Sequence, residues 1–164
     1  MNELEQILVG DGYAAPPAHI IDALSDDLAH QKPLGAPHSI YEELWHICFW
    51  QQVTLDWIGD IETPFPASPA DGFPTVEDME REPWTGLCER FFHGAQQAAA
   101  AARDESRLHL SVRCPSRPGN PKRVMTVLEQ LENMAAHNAY HLGRIVLLRQ
   151  LLGAWPPRSG GFTW

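Results

Sequence analysis

Proline and glycine clusters divide this chain into segments that each have the length of a helix. Within the segments, apolar residues recur every three or four positions, which is the period of an amphipathic helix. A strictly alternating strand pattern extends over no more than a few residues. The sequence therefore predicts an all-α fold, a four-helix bundle with short additional helices, as a single domain over residues 1–164. The clusters lie at residues 10–12, 33–37, 63–74, 114–121 and 153–160.

Capping residues and prolines predict where the helices begin and end. Ser39, followed three residues later by Glu42, is a capping box, so a helix is predicted to begin there and to continue to about residue 61. An irregularity is expected at Pro83 and Gly94, and a long loop with a short extended piece at residues 108–112 is expected before the last helix. The other predicted helices cover about residues 2–9, 16–30, 75–103, and from after Pro121 to about Gly153.

The acidic charge of the chain argues against a nucleic-acid partner. Twelve Lys and Arg residues against 21 Asp and Glu residues give a net charge of −9, and such a chain repels a phosphate backbone. No run of about 18 apolar residues exists, so no membrane partner is expected either. The densest basic cluster is interrupted by prolines and is interpreted as a solvated loop. It consists of Arg113, Arg117, Lys122 and Arg123.

The cysteines and the first residues predict the compartment. Cys48, Cys88 and Cys114 are far apart and form no CxxC pair, which argues against a disulfide framework and against a thiolate zinc site. Residues 1–12 carry acids where a signal peptide would carry basic residues followed by a long apolar stretch. We therefore expect the protein to work in the cytoplasm, with its cysteines as free thiols.

His137 and His141 are the residues that point most clearly to chemistry. Their spacing of four residues in the last predicted helix places both imidazoles on one face, where they can hold one metal ion. Met134, Ile145 and Leu148 continue the same stripe, so the pair is predicted to point into the protein. Two buried imidazoles need partners. A shared metal ion is one solution, and hydrogen bonds to carbonyl groups or acids, with a purely structural role, are the other.

A third ligand must come from another helix, and His46 is the best candidate. It lies at the edge of an apolar arc, one turn before Trp50, which is expected to border a pocket. His38 and His93 are the alternatives. Three neutral imidazoles without a thiolate favour Zn, Ni or Fe as the divalent metal ion and leave a position for water or a substrate thiol. Each ligand also needs an acceptor for its second ring nitrogen. The candidates are Glu42, Glu43, Asn133 and Asn138.

Three stretches of the chain carry a resemblance to a known family. The second stretch, residues 136–143, reads Ala-His-Asn-Ala-Tyr-His-Leu-Gly and is the most specific of the three. With the helix spacing between the stretches, the chain resembles the DinB-like superfamily, also called DinB/YfiT-like, over nearly its whole length. The resemblance implies a four-helix bundle of that type, with a divalent metal ion held by His46, His137 and His141. The stretches are residues 37–46, 136–143 and 145–157.

The resemblance also implies a function. Related families include transferases and isomerases that depend on a low-molecular-weight thiol, which the metal activates. Members of the superfamily often form homodimers through helix packing. We therefore expect a metal-dependent hydrolase or thiol transferase that acts on a small-molecule thiol or electrophile. The alternative is a non-catalytic metal-binding protein or stress-response dimer.

Arg144 departs from the family pattern. Many relatives have Gln at this position, three residues after His141. The arginine is either an anchor for a carboxylate on a thiol or substrate, or a surface residue paired with an acid. In the first case, Arg144 and Trp50 are the predicted substrate-binding residues.

Overall fold

The computed structural model describes residues 2–10, 15–116, 119–121 and 123–158. These residues are mostly helical, and a two-stranded sheet of β1 (Ser111–Cys114) and β2 (Arg123–Thr126) precedes the last helix. None of the helices in these ranges has both the length and the hydrophobicity that a membrane span requires. Arg117 and Lys122 of the predicted basic loop lie outside the described residues. The α-helices are α1 (Glu3–Val9), α2 (Pro17–Ile20), α3 (Asp26–His30), α4 (Ile40–Ile58), α5 (Val76–Arg81), α6 (Trp84–Arg103), α7 (Glu105–Leu108) and α8 (Val127–Leu151), and a 3-10 helix covers Pro69–Gly72.

Helix α4 begins where its capping box predicts. The Ser39 hydroxyl accepts a hydrogen bond from the backbone N–H of Glu42 at 3.2 Å, and the Glu42 carboxylate accepts one from the backbone N–H of Ser39 at 2.6 Å. These two bonds satisfy backbone donors that the first turn of a helix leaves without partners. The helix ends at Ile58, near its predicted end.

The predicted helix over residues 16–30 is wrong as a continuous element. Ala23 has a φ of +54°, which a right-handed helix does not contain, and the chain forms the two short helices α2 and α3 instead. The side chain of Ser25 begins α3 by accepting a hydrogen bond from the N–H of Leu28 at 3.2 Å. The prediction failed because Ser25 was interpreted as part of a helix, although serine is a preferred N-cap residue.

The predicted helix over residues 75–103 is divided at Pro83, one of the two expected irregularities. Proline has no N–H and holds the preceding residue in an extended conformation, so α5 ends before it and α6 begins after it. The carboxylate of Asp26 accepts a hydrogen bond from the N–H of Trp84 at 2.8 Å, so a residue of α3 caps α6. Gly94 does not interrupt α6.

A small β-hairpin adds to the predicted helices, within a structure that is otherwise mostly helical: β1 lies in the region predicted as a long loop, and β2 lies where the last helix was predicted to begin. Strands β1 and β2 pair antiparallel along their length. The predicted extended piece at residues 108–112 overlaps only the start of β1, and β2 was not predicted. Because of β2, helix α8 begins at Val127, after its N-cap Thr126, and not directly after Pro121.

Helix α4 packs along both α6 and α8, and α1 packs on the same two helices. Ile40, Leu44 and Ile47 of α4 are fully buried and face Leu87 and Ile145 in one core cluster. Burying each such side chain stabilises the fold by about 1.5–3 kcal/mol. The close packing of α4 on α8 is what sets the positions of the candidate site residues.

Candidate metal centre

Helices α4 and α8 bring three imidazole rings together. His46 lies on α4, and His137 and His141 lie one turn apart on α8. The ring centroid of His46 is 5.0 Å from that of His137 and 4.5 Å from that of His141, and the two rings on α8 are 4.4 Å apart. One nitrogen of each ring lies within 4.8 Å of the other two. The three predicted ligands are therefore positioned so that they could hold one metal ion.

The distances and the donor set fit metal coordination. The Nε2 atoms of His46 and His137 are 3.2 Å apart. Two nitrogen atoms that each lie about 2.0–2.1 Å from a tetrahedral Zn²⁺ are separated by about 3.4 Å. Neutral nitrogen donors without a thiolate suit Zn, Ni or Fe. The residues present thus fit a divalent ion.

Two of the rings are oriented by hydrogen bonds on the nitrogen that faces away from the site. Nδ1 of His46 donates to the carbonyl of Gly72 at 2.7 Å, and Nδ1 of His141 donates to the carboxylate of Glu43 at 2.6 Å. A neutral imidazole that donates through Nδ1 presents an unprotonated Nε2. A Cβ at position 72 would lie 3.3 Å from Nδ1 of His46, so glycine lets the backbone approach the ring.

The third ring, that of His137, lacks such a partner. Its Nδ1 is buried without a hydrogen bond to any described residue, and so is Oδ1 of the neighbouring Asn138. Burial, with a smaller contribution from the two adjacent imidazoles, lowers the pKa of His137 to about 4. Burial also lowers the pKa of His46. Both rings are therefore neutral near pH 7, as metal ligands must be.

Glu43 joins His141 to Arg144. Its carboxylate is fully buried, with one oxygen accepting from His141 and the other accepting from Nε of Arg144 at 2.9 Å. Burial raises the pKa of Glu43, but the hydrogen bonds and charges of His141 and Arg144 outweigh it, so the pKa is lowered. Arg144 also donates to the Tyr140 hydroxyl at 3.2 Å. Of the two interpretations of Arg144, the pairing with an acid is the one observed, and a role in substrate binding stays a prediction.

Trp50 lies beside the three histidines, as expected for a residue that borders a pocket. Its ring centroid is 6.4 Å from that of His46 and 6.3 Å from that of His137. Trp50 and His137 both line a cavity of about 770 Å³ between α4, α8 and the β-hairpin. The candidate metal centre therefore adjoins a space large enough for a small molecule.

The two alternative ligands lie outside this group. His38 stacks on Phe73 with ring centroids 3.9 Å apart, and Phe73 stacks on His46 at 4.3 Å, so one phenyl ring separates the two histidines. His93 is exposed on α6. Among the residues described, the group able to hold a metal ion consists of His46, His137 and His141.

Comparison with known families agrees with this geometry. The family model of the DinB superfamily matches residues 18–145, which is most of the chain. The chain belongs to the DinB superfamily. The matched region contains all three histidines, and metal binding is a property of this superfamily. The family prediction is thus confirmed. No curated protein gives a significant match to this DinB-superfamily chain.

The buried carboxylate of Glu43 provides the first prediction. We expect Glu43→Gln to weaken Zn²⁺ binding by about 10–100-fold, because it removes the negative charge that orients His141 and strengthens its Nε2 as a donor. Competition with a fluorescent zinc chelator measures the change in affinity.

The adjacent Glu42 offers a matched control for this substitution. Its carboxylate accepts from Ser39 and lies 2.8 Å from Nζ of Lys32, and it does not contact the histidines. We expect Glu42→Gln to leave Zn²⁺ affinity within about twofold of the original value, since the carboxylate that it replaces pairs with Ser39 and Lys32 and orients none of the three rings. Equal losses in both variants would show that Glu43 has no specific role at the site.

Proposed function

We propose that this protein binds one divalent ion, Zn, Ni or Fe, through the Nε2 atoms of His46, His137 and His141. The observation that carries the proposal is the convergence of three imidazole rings from two helices, with a 3.2 Å separation between two of their nitrogens. The bound ion would lower the pKa of a thiol or water molecule at its remaining position. Glu43 and the Gly72 carbonyl hold two of the rings in the orientation that this requires.

Thiol transfer is the reaction that the surroundings of the site favour over hydrolysis. The described residues that line the adjoining cavity include no Asp or Glu, so no carboxylate there can serve as a general base for water. A thiol is acidic enough to lose its proton to solvent when its charge is stabilised. The sulfur then forms a bond to an electrophilic carbon, and the bond from that carbon to its leaving group breaks with its electron pair.

Thiol consumption tests this function. Protein loaded with Zn²⁺ is incubated with 1-chloro-2,4-dinitrobenzene and each of several thiols, including glutathione and cysteine, and thioether formation is followed by absorbance. We expect at least one thiol to react at least about tenfold faster with the loaded protein than with chelator-treated protein, which corresponds to a barrier lower by about 1.4 kcal/mol. Equal rates with every cellular thiol would contradict the catalytic proposal and leave the metal site as a separate question.

A metal-binding or stress-response dimer without catalysis is the second candidate. The outer face of α8 supports it, because Tyr140, Leu147 and Leu151 are all more than half exposed there. In that case Zn²⁺ raises the melting temperature, no thiol or electrophile raises it further, and sedimentation gives the mass of a dimer.

The helix packing and the cysteines bear on the arrangement of the chain and on its compartment. We propose that α1, α4, α6 and α8, which pack on one another in pairs, are the four helices of the bundle, and that residues 1–164 form a single domain. The three cysteines are unpaired, in agreement with work in the cytoplasm, where cellular thiols are kept reduced.

A further inference from the structure

The cavity beside the candidate metal centre is elongated along α4 and α8. His46 contacts His141 and Trp50 contacts His137, so the two helices run in opposite directions past each other. On α8 the lining extends from His137 to Gln130, and seven residues of helix span about 10 Å. The candidate metal centre is therefore at one end of the cavity.

Aromatic rings form one wall of this cavity. Trp50 and Trp57 of α4 lie 6.5 Å apart, and the ring of Phe65 lies 5.3 Å from Trp50 and 6.4 Å from Trp57. Nε1 of Trp57 donates to the carbonyl of Thr63 at 2.7 Å, which fixes that ring in place. Rigid aromatic faces of this kind favour a flat ring system, which can stack on them or meet their edges.

Polar groups in the lining indicate which chemical group the ligand carries besides its flat ring system. Arg123 of β2 is the one residue with a full charge among the described lining residues, and none of the described carboxylates forms an ion pair with it. Its guanidinium is exposed, so it stands at the open side of the cavity. Ser116 Oγ, also in the lining, is buried without a hydrogen bond to the described part of the chain. Its guanidinium donates to the Met125 sulfur at 3.1 Å, which is a weak and uncharged acceptor. In a chain with a net charge of −9, an arginine at a cavity that has no carboxylate partner among the described residues favours an anionic ligand.

We propose that this cavity binds a flat, mostly apolar, ring-containing acid about 10 Å long, with its acidic group at Arg123 and its opposite end at His137. The rings lie against Trp50 and Trp57. Only the orientation toward a metal ion rests on the proposed function, because the aromatic wall and Arg123 exist without an ion. On the proposed function, an acid of this class is the substrate that the thiol would meet.

Calorimetry on metal-free protein tests the cavity and the acidic end. The probes are 2-naphthoate and its neutral counterpart 2-naphthamide, which have the same ring system. We expect the acid to bind at least about tenfold more tightly than the amide, and Arg123→Gln to reduce this ratio to about twofold, because the variant removes one charge-assisted contact. Equal affinities in the unmodified protein, or an unchanged ratio in the variant, would overturn the proposal.

Two further variants control this result. Arg113→Gln changes an exposed arginine of β1 that lies 3.7 Å from Glu62 and does not line the cavity, and we expect it to keep the ratio. Asn133→Trp places a large ring at an exposed position of the lining, and we expect both probes to bind at least about tenfold more weakly because the space is filled. Unchanged binding in Asn133→Trp would show that the probes occupy another place.

A third probe tests the orientation. In 6-sulfanyl-2-naphthoate, a thiol stands at the end opposite the carboxylate. Addition of Zn²⁺ to the protein is expected to strengthen its binding at least about tenfold and to leave 2-naphthoate within about threefold. An equal gain for both probes would put the carboxylate at the histidines and overturn the orientation. If no ion binds at all, the proposed metal function fails, and the metal-free measurements still decide the cavity proposal.

Discussion

Replacing His137 with alanine is expected to lower Zn²⁺ affinity by about a hundredfold to a thousandfold while the protein remains folded. Protein zinc sites with four ligands bind with about 10–16 kcal/mol, so each ligand contributes about 2.5–4 kcal/mol. Nδ1 of His137 is buried without a hydrogen bond to the described residues, so removal of the ring leaves no partner of that atom unsatisfied. The other ring nitrogen faces His46, which keeps its hydrogen bond to the Gly72 carbonyl. Chelator competition gives the affinity, and metal analysis of the purified protein gives the stoichiometry.

His109→Ala is the matched control, because this exposed histidine lies after α7 and outside the candidate centre. We expect it to keep both the affinity and one ion per chain. If His137→Ala stays within about tenfold of the original affinity, then the ion is held elsewhere or by fewer ligands, and the assignment of the three-histidine site is wrong.

Arg149→Met is expected to lower the free energy of unfolding by about 3 kcal/mol and the melting temperature by about 10 °C. Arg149 is only 2% exposed although it carries a charge. Its guanidinium donates to the carbonyls of Ile20 at 2.6 Å, Asp22 at 2.9 Å and Ala154 at 3.0 Å. Methionine fills a similar length but donates nothing, so these carbonyls lose their partner. Urea unfolding followed by circular dichroism measures the change.

Arg81→Met separates this effect from the loss of a positive charge in general. The Arg81 side chain is 76% exposed and its guanidinium lies 3.6 Å from the Asp78 carboxylate. A change within about 0.5 kcal/mol is expected, since exposed ion pairs contribute little. If the two arginine variants lose the same stability, the three carbonyl contacts of Arg149 are not what stabilises the fold.

Local sequence signals predicted most of the helices well, except the one over residues 16–30, and they predicted the connections poorly. The start of α4 follows from Ser39 and Glu42, which lie three residues apart, and the division at Pro83 follows from the chemistry of one residue. Strand β2 depends on pairing with β1. The two strands are separated along the chain, so the pattern of a few neighbouring residues does not predict their pairing. Ala23 adopts a left-handed conformation that its residue type disfavours.

The candidate site likewise combines features that local sequence predicts with features that only the packing of the helices determines. The spacing of His137 and His141 is a local signal, and the inward stripe beside them predicts that a partner helix supplies His46. Glu43 was one of four candidates for the second ring nitrogens, and the packing of α4 on α8 selects it for His141. The acceptor for His46 is the backbone carbonyl of Gly72. Every residue has such a carbonyl, so residue types alone could not predict which one His46 contacts.

The Gly72 carbonyl has an evolutionary consequence for the connection between α4 and α5. Surface connections usually tolerate insertions and deletions because little depends on their backbone. Here a backbone oxygen sets the tilt of His46, so a gain or loss of residues near Gly72 would disturb the ring even if every side chain were kept. Selection on this stretch would therefore act on its length as well as on the identity of Gly72, whose missing side chain lets the carbonyl reach the ring. A protein engineer should transplant the stretch whole.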